Sequence, residues 1–496
     1  MKKRIKDKKF LEKIVSAKKA AKVLKGDITV ATSGFTPSGY PKSVPKALSD
    51  LVKQNKQEVN MTLITGASVG DELDGEFARQ NIVKRRFPYQ THSDLRKKIN
   101  NGEVNYQDLH LSHVAQMMSY GYLGNIDFAI VEAIGITEDG KIIPSTSVGI
   151  APQAVELADK VIIEINTSQP KELEGVHDIY TLKNPPNRKP IPIEKPGDRI
   201  GSPYIEVDFD KVIGIVESDI KDDVRPLGSI DEDSKKISRY IIEFLKNEVK
   251  ENRLPKDLLP LQSGVGSVAN AVLAGLVESD FENLTCYTEV IQDSMLDLID
   301  AGKVKKISGT SFTPSKKGLN RLLENMDHYA KYCILRPMEI SNNPEVIRRL
   351  GVIALNTAVE VDIYGHVNST NILGSRMMNG LGGSGDFTRN AKLSVFTTMS
   401  TGLDGKISSI VPMVSHVDHT EHDVDVIVTE RGIADLRGLS PSEKAQKIID
   451  NCAHPKYKEK LQNYLDEAKK LKYKHEPHNL EKSLSFQQNF IKNGKM

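Results

Sequence analysis

The stretch Gln262–Asp293, QSGVGSVANAVLAGLVESDFENLTCYTEVIQD, decides the reading of this chain. It opens on a glycine turn, Gly264-Val265-Gly266, and continues as an alanine-rich helix. It then enters an apolar strand that ends at Tyr287-Thr288-Glu289. Glycine permits positive φ and close approach of a ligand to the backbone. The helix that follows offers free N–H groups to an anion. Three readings fit the turn. It is a plain tight turn before a helix. Or it is a dinucleotide fingerprint, since Gly264, Gly266 and Ala269 satisfy G-x-G-x-x-G/A with an acid about 20 residues on. Or it seats a phosphate-bearing or thioester ligand beside a reactive carboxylate. The preceding Asn252–Leu261, NRLPKDLLPL, has two prolines and no β-branched residue, so it is a poor first strand for a dinucleotide fold. The pattern leaves the second and third readings open.

Outward from this stretch, short Val- and Ile-rich runs recur. They are Ile28–Phe35, Met61–Gly66, Ile126–Ile134, Lys160–Ile165 and Val212–Val216 in the first half. In the second half they are Leu284–Ile291, Cys333–Ile340, Val352–Ile363, Ile407–Val414 and Val424–Thr429. Helical patterns lie between many of them, as at Val44–Val52, Pro152–Ala158, Ser234–Glu248 and Val268–Val277. Buried-type strands alternating with helices predict an α/β fold with parallel sheets. The proline-dense Leu182–Pro203 reads as a long surface loop. A boundary is expected within Asp222–Ser234, giving α/β domains over 1–225 and 226–496 with a cleft between them. The charged, helical tail beyond Asn451 is expected to pack on the outside.

Bulk composition excludes several classes. With 68 Lys and Arg against 66 Asp and Glu, the formal net charge is +2, which leaves no footprint for nucleic acid or an acidic membrane. Cys286, Cys333 and Cys452 are far apart and odd in number, so neither a disulfide framework nor a metal spacing is indicated. The basic N-terminus lacks a continuous apolar core and reads as a charged helix. No run of eighteen apolar residues occurs, so no transmembrane helix is expected. A reducing, cytoplasmic setting fits.

QSGVGSVANAVLAGL followed by YTEVIQD resembles the acetyl-CoA hydrolase/transferase family, within the class I CoA-transferases and in particular the succinyl-CoA:acetate type. The likeness extends through Gly34–Pro41 (GFTPSGYP), Thr65–Gly70 (TGASVG), Arg85–Gln90 (RRFPYQ), Glu339–Gly351 (EISNNPEVIRRLG), Asn379–Phe387 (NGLGGSGDF) and Ser415–Leu439 (SHVDHTEHDVDVIVTERGIADLRGL). The resemblance implies two tandem α/β domains of the CoA-transferase type and a homodimer. It also implies acyl-CoA and small carboxylates as substrates, coenzyme A as substrate rather than a bound cofactor, and no metal. Glu289 is then the nucleophile. Carboxylate attack on a thioester, followed by return of the CoA thiolate, splits one hard exchange into easier steps and makes the kinetics ping-pong.

The other site residues follow from the resemblance, each beside a plainer account. Gln262, Ser263, Gly264, Val265 and Gly266 would contact CoA. Gly380–Gly385, with four glycines in six residues, is either a flexible loop or an oxyanion and CoA loop with Asn379 and Gly383 as its working residues. Asn342, in Ser341-Asn342-Asn343-Pro344, fits an N-cap or turn, and the resemblance adds a role facing the reacting carbonyl or CoA. Lys406 fits a turn between strands, or a CoA contact. Ser68 would bond the substrate. Arg225 would pair with Glu430 near the substrate carboxylate, although plain salt bridging also accounts for that pair. His416, His419 and His422 do not share a helical face and read as a structural turn. Asp71 and Ser267 depart from the family pattern. A thioesterase with the same acyl-enzyme, a nucleotide-dependent dehydrogenase and a non-catalytic CoA sensor are the alternatives.

Overall fold

The computed structural model describes residues 1–224, 230–264 and 266–496. The chain groups into two compact units, and neither is one stretch of sequence. The first comprises Met1–Pro226, Thr285–Asp300 and Val304–Leu350; the second comprises Leu227–Leu284, Ala301–Lys303 and Gly351–Met496. The residues around Glu289 therefore pack with the N-terminal half of the chain.

The first unit is built on strands β1 (Gly26–Thr32), β2 (Val59–Ile64), β3 (Val83–Phe87), β4 (Asn105–Tyr106), β5 (Phe128–Ile136), β6 (Ile142–Pro144), β7 (Lys160–Asn166) and β8 (Val212–Ser218). They lie in the order β4-β3-β2-β1-β5-β7-β8, with β6 antiparallel on β5 and every other pairing parallel. All nine residues of β5 are buried, as expected of a central parallel strand covered on both faces. The helix Ser43–Lys53 buries Val44, Leu48 and Leu51 in the cluster that covers this sheet. Its first turn is closed by a side chain from β7. The Glu164 carboxylate accepts from the backbone N–H of Lys42, Ser43 and Val44 at 2.8, 3.0 and 2.6 Å. These donors have no partner within the helix, and the helix dipole favours an anion there.

Beside this cap lies a buried charge cluster. Lys42 Nζ is 2.6 Å from Glu132 and 2.9 Å from Asp222, with all three side chains fully enclosed. Asp222 also accepts from Gly39 N–H and Thr146 Oγ1, which ties the GFTPSGYP loop to the sheet. Three glycines meet where that loop crosses TGASVG: a Cβ on Gly66 would lie 2.6 Å from the Gly34 carbonyl oxygen and 3.2 Å from Gly149 Cα. The strand Leu284–Tyr287, all but its first residue in this unit, runs beside Val304–Gly309, which pairs in parallel with Cys333–Leu335.

The proline-dense segment is irregular, as expected, but it is not simply a surface loop. Ile191 and Ile193 are buried. The Arg336 guanidinium, fully enclosed, bonds the Asp178 carboxylate, the Asp198 carbonyl and Ser308 Oγ. Asp178 in turn receives the N–H groups of Ile200 and Gly201. Proline cannot donate to a ladder, so side chains from elsewhere satisfy this backbone.

The second unit carries parallel strands Leu261–Ser263, Ile353–Thr357, Leu393–Thr397 and Val426–Thr429 in that order, with Gly432–Asp435 antiparallel at the edge. The helix Glu232–Lys250 packs on Ser267–Glu278. The tail does more than cover the outside. Tyr457, Leu461, Tyr464, Leu465 and Phe486 are buried in one core cluster with Phe396, Ile427 and Ile448. Its charged residues hid an apolar stripe that recurs every three to four positions. Among the described residues no helix is long and apolar enough to cross a membrane.

Replacing Arg336 by Ala would leave Asp178 buried without its cation. Urea denaturation should show a loss of about 3–5 kcal/mol, the usual cost of breaking a buried pair from one side. A loss no larger than that of a surface charge change would contradict this account of the loop.

Candidate active site

The expected strand Leu284–Ile291 is interrupted at the residue that matters. Pairing stops at Tyr287, the chain bends at Glu289, and a short strand resumes at Val290–Ile291 against Ser311–Phe312. The bend is fixed through the backbone. Thr288 N–H donates to the Ser308 carbonyl at 2.9 Å, and the Glu289 carbonyl accepts from Thr310 N–H at 2.7 Å and Ser311 N–H at 3.2 Å. Gly309 allows this approach, since a Cβ there would stand 3.2 Å from the Glu289 carbonyl oxygen. The Glu289 side chain is half-buried. Its Oε2 accepts from Asn342 Nδ2 at 2.9 Å.

Asn342 reaches Glu289 because it is not a helix N-cap. It follows the short helix Met338–Ser341 as its C-cap. The N-cap role expected of it falls to Asn343, whose Oδ1 accepts from Glu345 N–H at 3.0 Å at the start of Pro344–Leu350. Sequence spacing cannot tell these neighbouring asparagines apart. The run Cys333–Ile340, expected as one strand, is the strand Cys333–Leu335 followed by that helix.

Ser68 is buried and lies in a loop held from both sides by one ion pair. Arg86 Nη2 donates to the Ala67 carbonyl at 3.1 Å, and Asp74 Oδ2 accepts from Val69 N–H at 3.1 Å. Arg86 Nε and Asp74 Oδ1 join these two grips at 2.9 Å, with both side chains fully enclosed. Ser68 Oγ meets Thr91 Oγ1 at 2.9 Å. Asp71 faces outward to Arg79 and His92 at 2.7 and 3.0 Å. Nothing in the sequence distinguishes buried Arg86 from the exposed Arg85 beside it, and burial along β3 does not follow strict alternation.

The second unit holds the remaining candidates. Gln262 and Ser263 end the strand Leu261–Ser263, which enters the glycine turn directly after the stretch that reads as a poor first strand; three residues are too few to show a pattern. Gly264 N–H donates to the Leu355 carbonyl at 3.0 Å, and Gly266, at φ +142°, begins the helix Ser267–Glu278. Val265 and Arg225 lie outside the described residues. The two glycine segments come together through Asn356, a residue the sequence did not single out. Its Oδ1 accepts from Gln262 Nε2 at 3.4 Å, and its Nδ2 donates to Thr388 Oγ1 at 3.2 Å. Thr388 ends the helix that Gly383 caps. Gly382, at φ +61°, is the position there that needs glycine; Gly383 is right-handed. Asn379 is half-buried just before this loop.

Lys406 is exposed in the turn joining Thr401–Gly402 to Ile407–Ser408. Glu430 is buried and accepts from Ser400 N–H at 2.7 Å and from Arg431 Nε at 2.9 Å, so its neighbour supplies a cation. His416 and His422 pair with Asp418 and Glu421, whereas His419 is buried against Phe396 and bonds Ser384.

One buried carboxyl behind the site titrates unusually. Glu339, three residues before Asn342, accepts from Gln153 Nε2, and burial pushes it from 4.5 up to about 7, opposed by the Leu182 N–H and the Arg188 charge. A raised carboxyl pKa means the folded state binds more protons than the unfolded one between these values. The stability this group contributes is therefore present below about 4.5 and lost as pH rises toward 7. In Glu339→Gln, the fall in urea midpoint between about pH 5 and 7 should be shallower than in the parent, and an identical slope would refute the assignment.

Models of the acetyl-CoA hydrolase/transferase N-terminal and C-terminal domains match residues 1–217 and 318–465. The chain is 58% identical over 494 residues to a succinyl-CoA:acetate CoA-transferase of Clostridium kluyveri, covering 100% of this chain and 92% of the relative. It is 47% identical over 511 residues to an acetyl-CoA hydrolase of Schizosaccharomyces pombe, covering 99% and 98%. RipA of Yersinia pestis shares the fold with a TM-score of 0.71 at 21% identity, over 92% of this chain and 97% of RipA. A 4-hydroxybutyrate CoA-transferase of Porphyromonas gingivalis does so with a TM-score of 0.65 at 19% identity, over 92% and 98%. The chain belongs to the acetyl-CoA hydrolase/transferase family, whose N- and C-terminal domains it carries in order.

Proposed function

We propose that this enzyme exchanges CoA between small carboxylic acids, with succinyl-CoA and acetate as the pair, through a thioester on Glu289. The observation that carries the reading is the half-buried Glu289, set on a strand break with an amide N–H 2.9 Å from its carboxylate. The full-length identity to a succinyl-CoA:acetate CoA-transferase supports the choice of pair. We further propose a cytoplasmic homodimer; three buried, unbridged cysteines are in keeping with a reducing compartment.

In the first half-reaction the Glu289 carboxylate attacks the acyl-CoA carbonyl. The C–S bond breaks, leaving a mixed anhydride and the CoA thiolate. The thiolate attacks the Glu289 carbonyl, forms glutamyl-CoA and releases the first acid as its carboxylate. The acceptor carboxylate then attacks glutamyl-CoA, regenerates an anhydride and expels the thiolate. Attack of that thiolate on the acceptor carbonyl forms the new acyl-CoA and restores Glu289. Charge is conserved at each step, and the energy of the thioester is never passed to water. Asn342 Nδ2 donates to Glu289 Oε2, an oxygen on the carbon at which the intermediates form, and neutral donors held in place are the usual means of stabilising an oxyanion.

Hydrolysis of the same acyl-enzyme is the second reading, favoured by relatives named acetyl-CoA hydrolases. Incubation with succinyl-CoA and borohydride should convert Glu289 to the corresponding alcohol, read as a mass loss confined to its peptide. Glu289→Ala should show no such loss, and its turnover should fall by at least about 10³-fold. An unreduced but active parent enzyme would defeat the covalent mechanism. CoA release at an undiminished rate without any acceptor acid would favour the hydrolase.

A further inference from the structure

We infer that Ser341 is a positioning residue that acts on the reaction through Asn342, and this rests on the reading of Glu289 as nucleophile. Ser341 is fully buried, and its Oγ donates to Asn342 Oδ1 at 2.8 Å. An asparagine amide presents an acceptor on one side and donors on the other, so a half-turn about its last bond exchanges them. With Oδ1 held by Ser341, the Nδ2 donors face Glu289, where the structure has one of them at 2.9 Å. The competing acceptor for the hydroxyl, the Met338 carbonyl, is at 3.4 Å, so the short bond to Oδ1 is the favoured one.

The backbone that carries Asn342 is fixed independently. Tyr287, two residues before the nucleophile and fully buried, donates its hydroxyl to the Ile340 carbonyl at 2.5 Å. Asn342 N–H donates to the Met338 carbonyl at 3.0 Å, and Asn343 Nδ2 to the Glu339 carbonyl at 3.0 Å. The freedom left to Asn342 is rotation of its own side chain, and Ser341 restricts it.

That restriction matters most when Glu289 is acylated. In the free enzyme a negative carboxylate draws Nδ2 toward itself. In the anhydride and the thioester that charge is gone, and a neutral carbonyl is a weaker acceptor. The Ser341 bond is unchanged by acylation, so it keeps the N–H aimed where the next oxyanion develops. A donor already in place costs no reorganisation at the moment of reaction.

The test is a double-mutant cycle on the full chain. Asn342→Ala should lower kcat by about 10²–10³-fold, as for loss of an oxyanion donor. Ser341→Ala should lower it about tenfold, the scale of one hydrogen bond, with the acyl-CoA KM little changed. In the Asn342→Ala background, adding Ser341→Ala should cost nothing more, because its target is gone. If Ser341→Ala does not fold, Ser341→Cys keeps the volume with a weaker donor and should show the same dependence on Asn342. Losses that multiply across the two sites, or a change confined to KM, would overturn the proposal and leave Ser341 a packing residue. Borohydride trapping on the parent enzyme separates the two readings. A trapped thioester with independent losses overturns only the role of Ser341, whereas no thioester overturns the nucleophile on which it rests.

Discussion

The arrangement around the break in the strand at Glu289 depends on one hydrogen bond, from Asn342 Nδ2 to the Glu289 carboxylate. Glu289 is half-buried, and its Oε2 accepts an amide N–H from Asn342 at 2.9 Å. The backbone supports the same arrangement. Two N–H groups on the Glu289 carbonyl and the bend after Tyr287 take this residue out of the strand pairing. A continuous strand would have set Thr288 and Glu289 in alternation with buried neighbours, and one of the two faces is packed core.

Charges elsewhere in this unit are handled differently. Lys42 with Glu132 and Asp222, Arg86 with Asp74, and Arg336 with Asp178 are all enclosed, and each pair also binds backbone in a loop. Asp222 takes Gly39, Arg86 and Asp74 take Ala67 and Val69, and Arg336 takes Asp198. A buried ion pair adds little net stability against a well-packed apolar alternative. Its use here is geometric: charged groups bond several irregular backbone groups at once, which apolar side chains cannot do. The loops that carry Ser68 and the GFTPSGYP segment are thereby held without regular secondary structure.

Much of the α/β pattern was legible because it depends on residue type at fixed spacing. The runs at Ile28, Met61, Ile126, Lys160 and Val212 are strands of one parallel sheet, and the four helices expected are present with ends shifted by a few residues. Short strands were not legible. Leu261–Ser263 is set by neighbours from distant sequence, and three residues carry no period; Val290–Ile291 fell inside the expected strand Leu284–Ile291, where what was not legible is the break at Glu289. The charged tail misled for a related reason: Tyr457, Leu461 and Tyr464 form a stripe that mean composition conceals. At the site, Glu289 was marked by the motif around it and Arg86 lay in the block Arg85–Gln90, but Asn356 and Asp74 carried no signal. Their side chains are common types whose meaning comes entirely from burial.

The sequence by itself determined the family and the order of most strands and helices along the chain, and it singled out Glu289 as the candidate carboxylate. Those follow from local patterns and from long motifs in a fixed order. The resemblance already named Asn342; only the tertiary structure decided that its Nδ2 bonds Glu289 Oε2 and that residues 285–300 and 304–350 pack with the N-terminal half. It alone showed that Ser341 fixes the amide and that Gly382 rather than Gly383 needs its glycine. The physical reason is common to these cases. The bond from Asn342 to Glu289 joins residues far apart in sequence, and even the bond between the adjacent Ser341 and Asn342 and the φ of Gly382 are set by the surrounding packing, which a string of residue types does not contain until the chain has folded.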